Sequence, residues 1–266
     1  MQSAGQNSTH EEAPEIKAEA VSPYGTGRHK GEEVREMFDS IAPRYDVMNT
    51  LMTFGLHRRW RDRAIREALR RLNVTPSRIL DVATGTGDLV FTLRRRLPEA
   101  QIIGADLSDG MLAVARRHLA EMPESERRGI SFEQADCLQL PYAEDSFDLV
   151  TVAYGVRNFE HLEAGYREML RVLRPGGVIC VIELSAPPRG LSRLLYNIYS
   201  GSLIPIVGKL VSGDSRAYSY LPESIAAAPQ RQEMATLMER AGFAAPLWHQ
   251  LTLGAVTFYT AIKDEK

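Results

Sequence analysis

Two stretches of helical period lead the patterned part of the chain. In EEVREMFDSI, Glu32 to Ile41, the apolar positions Val34, Met37, Phe38 and Ile41 share one face, and Pro43 ends the run. A second helix is expected near Arg59 to Leu72, with Trp60, Ala64, Ala68, Leu69 and Leu72 on one side and arginines on the other. From Arg78 the period changes. The β-rich runs RILDVA, QIIGAD and ISFEQAD alternate with the helical runs DLVFTLRRRL and MLAVARRHLAEM, the grammar of a parallel sheet wound by crossover helices. FDLVTVAYG, a helix around EAGYREMLRVL, and GGVICVIEL carry the pattern through a fourth and fifth strand. Near the end, PLWHQLTL and AVTFYTAI are joined across Gly254 and Ala255, a connection short enough for antiparallel strands only. The pattern predicts an α/β chain: a Rossmann-like, mainly parallel seven-stranded sheet with one antiparallel strand and helices on both faces.

The 266 residues fit one domain with extras. That domain is expected over 32–266, with an N-terminal helical cap over 32–72. Residues 1–31 are polar with scattered Pro and Gly and hold no apolar stretch able to serve as a signal-peptide core, so a disordered tail is expected there. Between the fifth strand and the final helix, at about 187–225, Leu191, Leu194, Leu195, Ile198 and Tyr199 precede LIPIVGKLV, Leu203 to Val211. This reads as a helical lid over a greasy ligand, or equally as an ordinary packed insertion. No window approaches the roughly 20 apolar residues of a bilayer crossing.

Charge narrows the partners. Lysine plus arginine number 32 against 34 acids, so no global field gathers nucleic acid, and none is expected as a partner. The two cysteines, Cys137 and Cys180, form neither a CxxC pair nor a zinc quartet, which points to a reducing, cytoplasmic setting and no metal. Homo-oligomeric association stays open.

The chemistry starts at DVATGTGD, Asp81 to Asp88. Gly85 and Gly87 lie where a strand turns into a helix, permitting a tight turn and close approach of a ligand to the backbone, and Thr86 offers a hydroxyl and an amide. Asp106 ends the next strand at the spacing of an acid that binds ribose hydroxyls. A dinucleotide fingerprint wants Gly or Ala three positions after its second glycine, and here stands Val90. Asp88 in the first helical turn would repel a pyrophosphate and favour an amino group or a sulfonium. S-adenosylmethionine carries both and no phosphate. Asp136 and Cys137, after the third strand, lie on the same ligand-binding edge. There Asp136 could accept from an adenine amino group and the Cys137 amide could donate to a ring nitrogen, or the pair could be a turn cap and a buried hydrophobe.

YDVMNTLMTFGLHRRW, Tyr45 to Trp60, and RVLRPGGVICVIELS, Arg171 to Ser185, strongly resemble the two signature segments of the UbiE/COQ5 quinone C-methyltransferases. AYGVRN, Ala153 to Asn158, and DSRAYSYLPESI, Asp214 to Ile225, extend the resemblance from about Val34 to the C-terminus. Thr53 stands where the first signature usually has Ser, and Arg174 where the second usually has Lys. The resemblance implies a class I S-adenosylmethionine-dependent methyltransferase fold, with cofactor contacts at Thr86, Asp106, Asp136 and Cys137. Some members use a serine where this chain has Ala153, so that hydroxyl contact is absent.

The implied acceptor is a prenylated quinol, demethylmenaquinol first and a benzoquinol as the alternative; a nicotinamide oxidoreductase is the more remote reading. A greasy acceptor places the chain in transient contact with a membrane surface, on the inner face of the cell membrane. A phenol-like hydroxyl is mostly protonated at neutral pH, so the chemistry needs a base or a cation beside it. Arg157 with Asn158 are the first candidates for the proton step, His57 and Tyr45 the second. Against these roles, Arg157 could simply pair with Glu183, His57 could cap the helix before Trp60, and Tyr45 could only pack the cap.

Overall fold

The computed structural model describes residues 16–188 and 215–265, with positions 190, 193, 194 and 196 between them. Four helices form the N-terminal cap: α1 (Lys17–Ala20), α2 (Lys30–Ile41), α3 (Tyr45–Thr53) and α4 (His57–Arg71). The helical periods foresaw α2 and α4 but not α3. Pro43, read as a terminator, occupies the start of a short 3-10 turn, Ala42–Arg44, after which the chain becomes helical again. Proline has no N–H to lose at that position.

The sheet follows. Its strands are β1 (Arg78–Val82), β2 (Gln101–Asp106), β3 (Ile130–Gln134), β4 (Phe147–Ala153), β5 (Leu173–Leu184), β6 (Ala244–Leu251) and β7 (Val256–Ile262). They lie in the order β3-β2-β1-β4-β5-β7-β6. All neighbours pair parallel except β7, which is antiparallel to both β5 and β6. The expected hairpin is present, with a longer connection than the sequence suggests. Thr252, Leu253 and Gly254 all turn at positive φ before β7 begins.

Strand alternation sends side chains to two cores. On one face Ile79, Leu149, Val178 and Cys180 pack against Trp60, Ala64 and Ile65 of α4, against α5 (Asp88–Arg96) and against α6 (Asp109–Glu121). On the other, Leu80, Val82, Val150, Val152 and Val181 pack against α8 (Leu162–Val172) and α10 (Gln232–Arg240), which follow α7 (Glu124–Arg127) and α9 (Ser215–Ala227) respectively. Burial of each large apolar side chain contributes about 1.5–3 kcal/mol, so this layering holds the strand ends in place. Ser108 caps α6 by accepting from the Met111 amide at 3.1 Å, which fixes the turn after β2 beside Asp106.

Strand order reverses beside β1, since β2 and β3 lie to one side and β4 to the other. Such a switch point opens a crevice at the carboxyl ends of the strands, the place where open α/β sheets bind ligands.

One expectation is corrected. Residues 16–31, expected as unstructured, carry α1 and a loop gathered on one buried carboxylate. The amides of Tyr24, Gly25 and Thr26 donate to Glu33 at 2.7, 3.0 and 2.8 Å. Lys30 Nζ, also buried, donates to the carbonyls of Ala18 at 2.6 Å and Arg157 at 3.0 Å. A polar composition reads as disorder, yet here the polar groups satisfy one another and dock against the VRN turn. Residues 1–15 and most of the expected lid lie outside the described residues. Of its apolar positions only Leu194 is described, and it is exposed.

Candidate active site

Two cavities adjoin at the switch point. The smaller, of about 110 Å³, is lined by Gly85, Asp106, Asp136, Cys137, Ala153 and Gly155 among others. The larger, of about 350 Å³, lies under the cap and is mostly apolar, with Met37, Met48, Trp60 and Leu253 in its wall. Phe38, Tyr45, Tyr154 and Asn158 line both, so a ligand in one cavity meets a ligand in the other across those side chains.

The smaller cavity owes its form to the glycine loop. Gly85 turns at φ +57°, and a Cβ there would meet only Tyr45 Cε1, at 4.0 Å, so its open side belongs to a ligand. Gly87, at φ +85°, does different work. A Cβ there would stand 2.8 Å from Phe132 and 2.9 Å from Phe91, so this glycine lets the aromatic pair close under the loop and does not line the cavity. Asp106 receives the Gly85 amide at 2.8 Å and the Ser108 amide at 2.9 Å, leaving one further lone pair on each oxygen to accept from paired hydroxyls. Burial pushes its carboxyl upward while these amides hold it down. Asp136 accepts from the Leu138 amide at 2.8 Å, and burial pushes the Cys137 thiol far up, leaving it a neutral wall.

Among the described residues, every charged side chain lining this cavity is an acid: Asp106, Asp136 and Glu160. That set repels a diphosphate and suits a cationic nucleoside with free ribose hydroxyls. S-adenosylmethionine therefore fits the residues present. Gly85, Asp106, Asp136 and Cys137 are the groups that would hold it.

Two of the expected polar groups have partners within the chain. The Thr86 hydroxyl donates to Asp46 Oδ1 at 2.6 Å, tying the glycine loop to α3, and Thr86 does not line the cavity. Asp88, expected to favour an amino group, pairs with the buried Arg61 at 2.8 Å. Ala153 lines the cavity and brings no hydroxyl.

All four residues expected at the proton step line the larger cavity. Arg157 is buried with its Nη1 2.6 Å from Glu183 Oε1, and the same nitrogen donates to the Tyr154 carbonyl. Asn158 accepts from the Tyr220 hydroxyl at 3.0 Å. Burial holds the phenols of Tyr45 and Tyr220 protonated, as donors. His57 opens α4 and lies 2.5 Å from the Thr53 hydroxyl, so it tethers α4 to α3.

Sequence reasoning missed Tyr154. It turns at φ +60° at the end of β4, lines both cavities, and its buried hydroxyl has no partner among the described residues. Its place before Gly155 was the available signal, because that glycine allows β4 to pass against Ala83.

Residues 26–263 match the model of the ubiE/COQ5 methyltransferase family. The chain belongs to that family. A demethylmenaquinone methyltransferase of Bacteroides fragilis is 43% identical over 245 residues, 92% of this chain and 98% of that one. Another, from Thermus thermophilus, is 44% identical over 225 residues, 84% of this chain and 98% of its own. A ubiquinone/menaquinone biosynthesis C-methyltransferase of Geobacter sulfurreducens is 41% identical over 239 residues, 89% and 91% of the two chains. Among solved structures, the cyclase SpnF superposes with a TM-score of 0.63 at 18% identity, covering 89% of this chain and 97% of that one. An S-adenosylmethionine-dependent methyltransferase of Thermotoga maritima gives 0.58 at 17%, covering 86% and 99%. At such identities these two establish the class I fold alone. The ubiE/COQ5 match is what joins the paired cavities to a chemistry.

Proposed function

We infer that this chain methylates a ring carbon of a reduced prenyl quinone with S-adenosylmethionine as donor, and that demethylmenaquinol is its acceptor. One observation carries the reading: an acid-lined nucleoside cavity shares a wall with an apolar cavity that contains a buried guanidinium. When bound, the sulfonium supplies an electrophilic methyl group.

The residues of the chain do the rest. Arg157 offers fixed positive charge beside the ring oxygen, and Glu183 keeps that charge in place. Asn158 and Tyr45, shared by both cavities, orient the ring toward the donor, and such positioning contributes up to roughly 7–11 kcal/mol of a barrier. The apolar wall excludes water from the anion that forms. The preference for a naphthoquinol over a benzoquinol rests on the names of the Bacteroides and Thermus relatives.

No helix among the described residues is long and apolar enough to cross a membrane. Substrate reaches the pocket from a lipid surface instead. Val47 and Leu51 are exposed one turn apart on α3, Phe54 is exposed just past its end, and exposed Leu253 shares the wall of the larger cavity with Phe54.

The test is a methylation assay with reduced demethylmenaquinone and a benzoquinol analogue side by side, read by product mass. Faster conversion of the naphthoquinol supports the reading. Equal turnover removes the preference, and turnover of neither removes the function.

A further inference from the structure

Formation of a quinol anion needs a proton acceptor, and the larger cavity contains few. Its titratable side chains are Tyr45, Tyr154, Tyr196, Tyr220, Arg61, Arg157 and His57, and among the described residues no carboxylate lines it. The tyrosines are held protonated by burial. A guanidinium stays charged at any working pH and has no lone pair to give. Glu183, the partner of Arg157, does not line the cavity: its Oε1 accepts from Arg157 Nη1 and the Leu184 amide, and its Oε2 from the Arg157 amide at 3.3 Å. His57 remains.

Its tautomer follows from its neighbours. The Thr53 hydroxyl donates its single hydrogen to the Asn49 carbonyl at 2.6 Å. The 2.5 Å contact between Thr53 Oγ1 and His57 Nδ1 therefore has the imidazole as donor. Nδ1 carries the hydrogen, and Nε2 carries the lone pair. The ring is also kept neutral. It is buried, and the charged groups facing it are Arg61 and Arg58 of its own helix and Asp88 from α5, with the arginines outweighing the acid. Burial first and Arg61 second push His57 below the usual histidine range. From α3 it meets the uncharged Thr53.

We propose that His57 is the general base, taking the quinol hydroxyl proton at Nε2, and that Thr53 is the positioning residue that fixes its tautomer. The O–H bond breaks with its electron pair left on oxygen, and an N–H bond forms at Nε2. Two neutral groups become an anion, steadied by Arg157, and an imidazolium. After methylation the imidazolium returns its proton to the ring oxygen, and the neutral Nε2 then takes the hydrogen of the methylated ring carbon as a proton, which it gives to solvent once the product has left. The proposal rests on the quinol reading above.

The test uses the full chain with 1-naphthol, whose ionised form absorbs at longer wavelength, and needs no methyl donor. Wild-type chain should bind 1-naphthol and ionise it well below its pKa in water. His57→Gln should bind and ionise it much as wild type does, since Arg157 is untouched, while its turnover of quinol should fall by about 10²–10⁴-fold in kcat with little change in KM. Thr53→Val keeps the imidazole and fills the same space, so it guards against misfolding; a fall in kcat of about tenfold is expected there, the scale of one hydrogen bond. The wild-type kcat should rise with pH through the depressed pKa of His57, and that limb should vanish in His57→Gln. A His57→Gln chain that keeps the wild-type kcat and its pH limb overturns the proposal and passes the proton to another acceptor. Wild-type chain that fails to bind 1-naphthol strikes the quinol reading itself.

Discussion

Arg157 Nη1 lies 2.6 Å from Glu183 Oε1 with both side chains almost wholly buried, although 26 residues separate them in the chain. The pair joins the turn after β4 to the end of β5 and supports the wall of the acceptor cavity. Removing one partner of such a pair leaves an uncompensated buried charge and costs about 3–5 kcal/mol. Glu183→Gln should therefore lower the melting temperature markedly. Replacing both with Arg157→Met and Glu183→Gln should recover much of that stability and leave the chain inactive. Thermal denaturation of the two singles and the double, run beside quinol turnover, separates the structural from the chemical share. A double variant that is as unstable as Glu183→Gln refutes the pairing account.

Among the described residues, Asp106 is the one acid that lines the nucleoside cavity with both oxygens accepting from backbone amides. Asp106→Ala removes the acceptors for ribose hydroxyls and also frees the Gly85 amide. Hydrogen bonds to a charged group are worth about 1.5–3 kcal/mol each, so affinity for S-adenosylhomocysteine should fall at least tenfold. Calorimetric titration measures this directly. NADH should bind neither chain, because the acids around the cavity repel its diphosphate.

How much of this was legible in the residues depends on the range of the interaction. The crossovers from β1 to β4 were readable because their patterns are local, and the spacing of Asp106 from Gly85 corresponds to a direct contact, the Gly85 amide donating to Asp106. The partners that Thr86 and Asp88 take on the cap, Asp46 and Arg61, were not legible, because each lies on a distant helix. No spacing rule contains such a partner. Residues 16–31 escaped for the same reason, since Glu33 organises them from inside α2. Arg157 was found with both its readings, and the structure joins them: it is paired and it lines the cavity.

Asp81 lies at the centre of β1, fully enclosed, accepting from Thr84 and Thr151 hydroxyls at 2.6 Å each. Burial pushes its carboxyl up to about 7, while the two hydroxyls partly oppose the rise. In the unfolded chain an aspartate titrates near its ordinary value of about 4. Between about pH 4 and pH 7 the folded chain thus holds a proton that the unfolded chain has lost. The contribution of this group to stability is full below that window and declines as pH rises through it, by roughly 1.4 kcal/mol per pH unit where the difference is complete. Asp81→Asn cannot titrate. The difference in unfolding free energy between wild type and Asp81→Asn should shift in favour of the variant from pH 4.5 to pH 7.5. A difference that stays flat across that range shows that Asp81 is charged in the folded chain.

Phe54 and Leu253 are 76% and 78% exposed, and both line the acceptor cavity, so each reaches from solvent to the pocket. Each is held outward by a left-handed turn, at φ 51° and 55°. Arg58 and Arg59, exposed in the first turn of α4, stand just beyond Phe54 and place positive charge where anionic headgroups would lie. A bilayer fits this combination: it would take up the apolar rim and present the prenylated ring to the opening. Phe54→Asp with Leu253→Asp should abolish co-sedimentation with anionic vesicles and raise KM for a long-chain quinol presented in them by about tenfold or more, since two buried aromatic or aliphatic contacts of about 1.5–3 kcal/mol each are lost. Turnover of a short-chain, water-soluble quinol should hardly change, because the residues around the ring are untouched. Equal losses with both substrates would place Phe54 and Leu253 in the ring pocket itself and take the rim out of membrane contact.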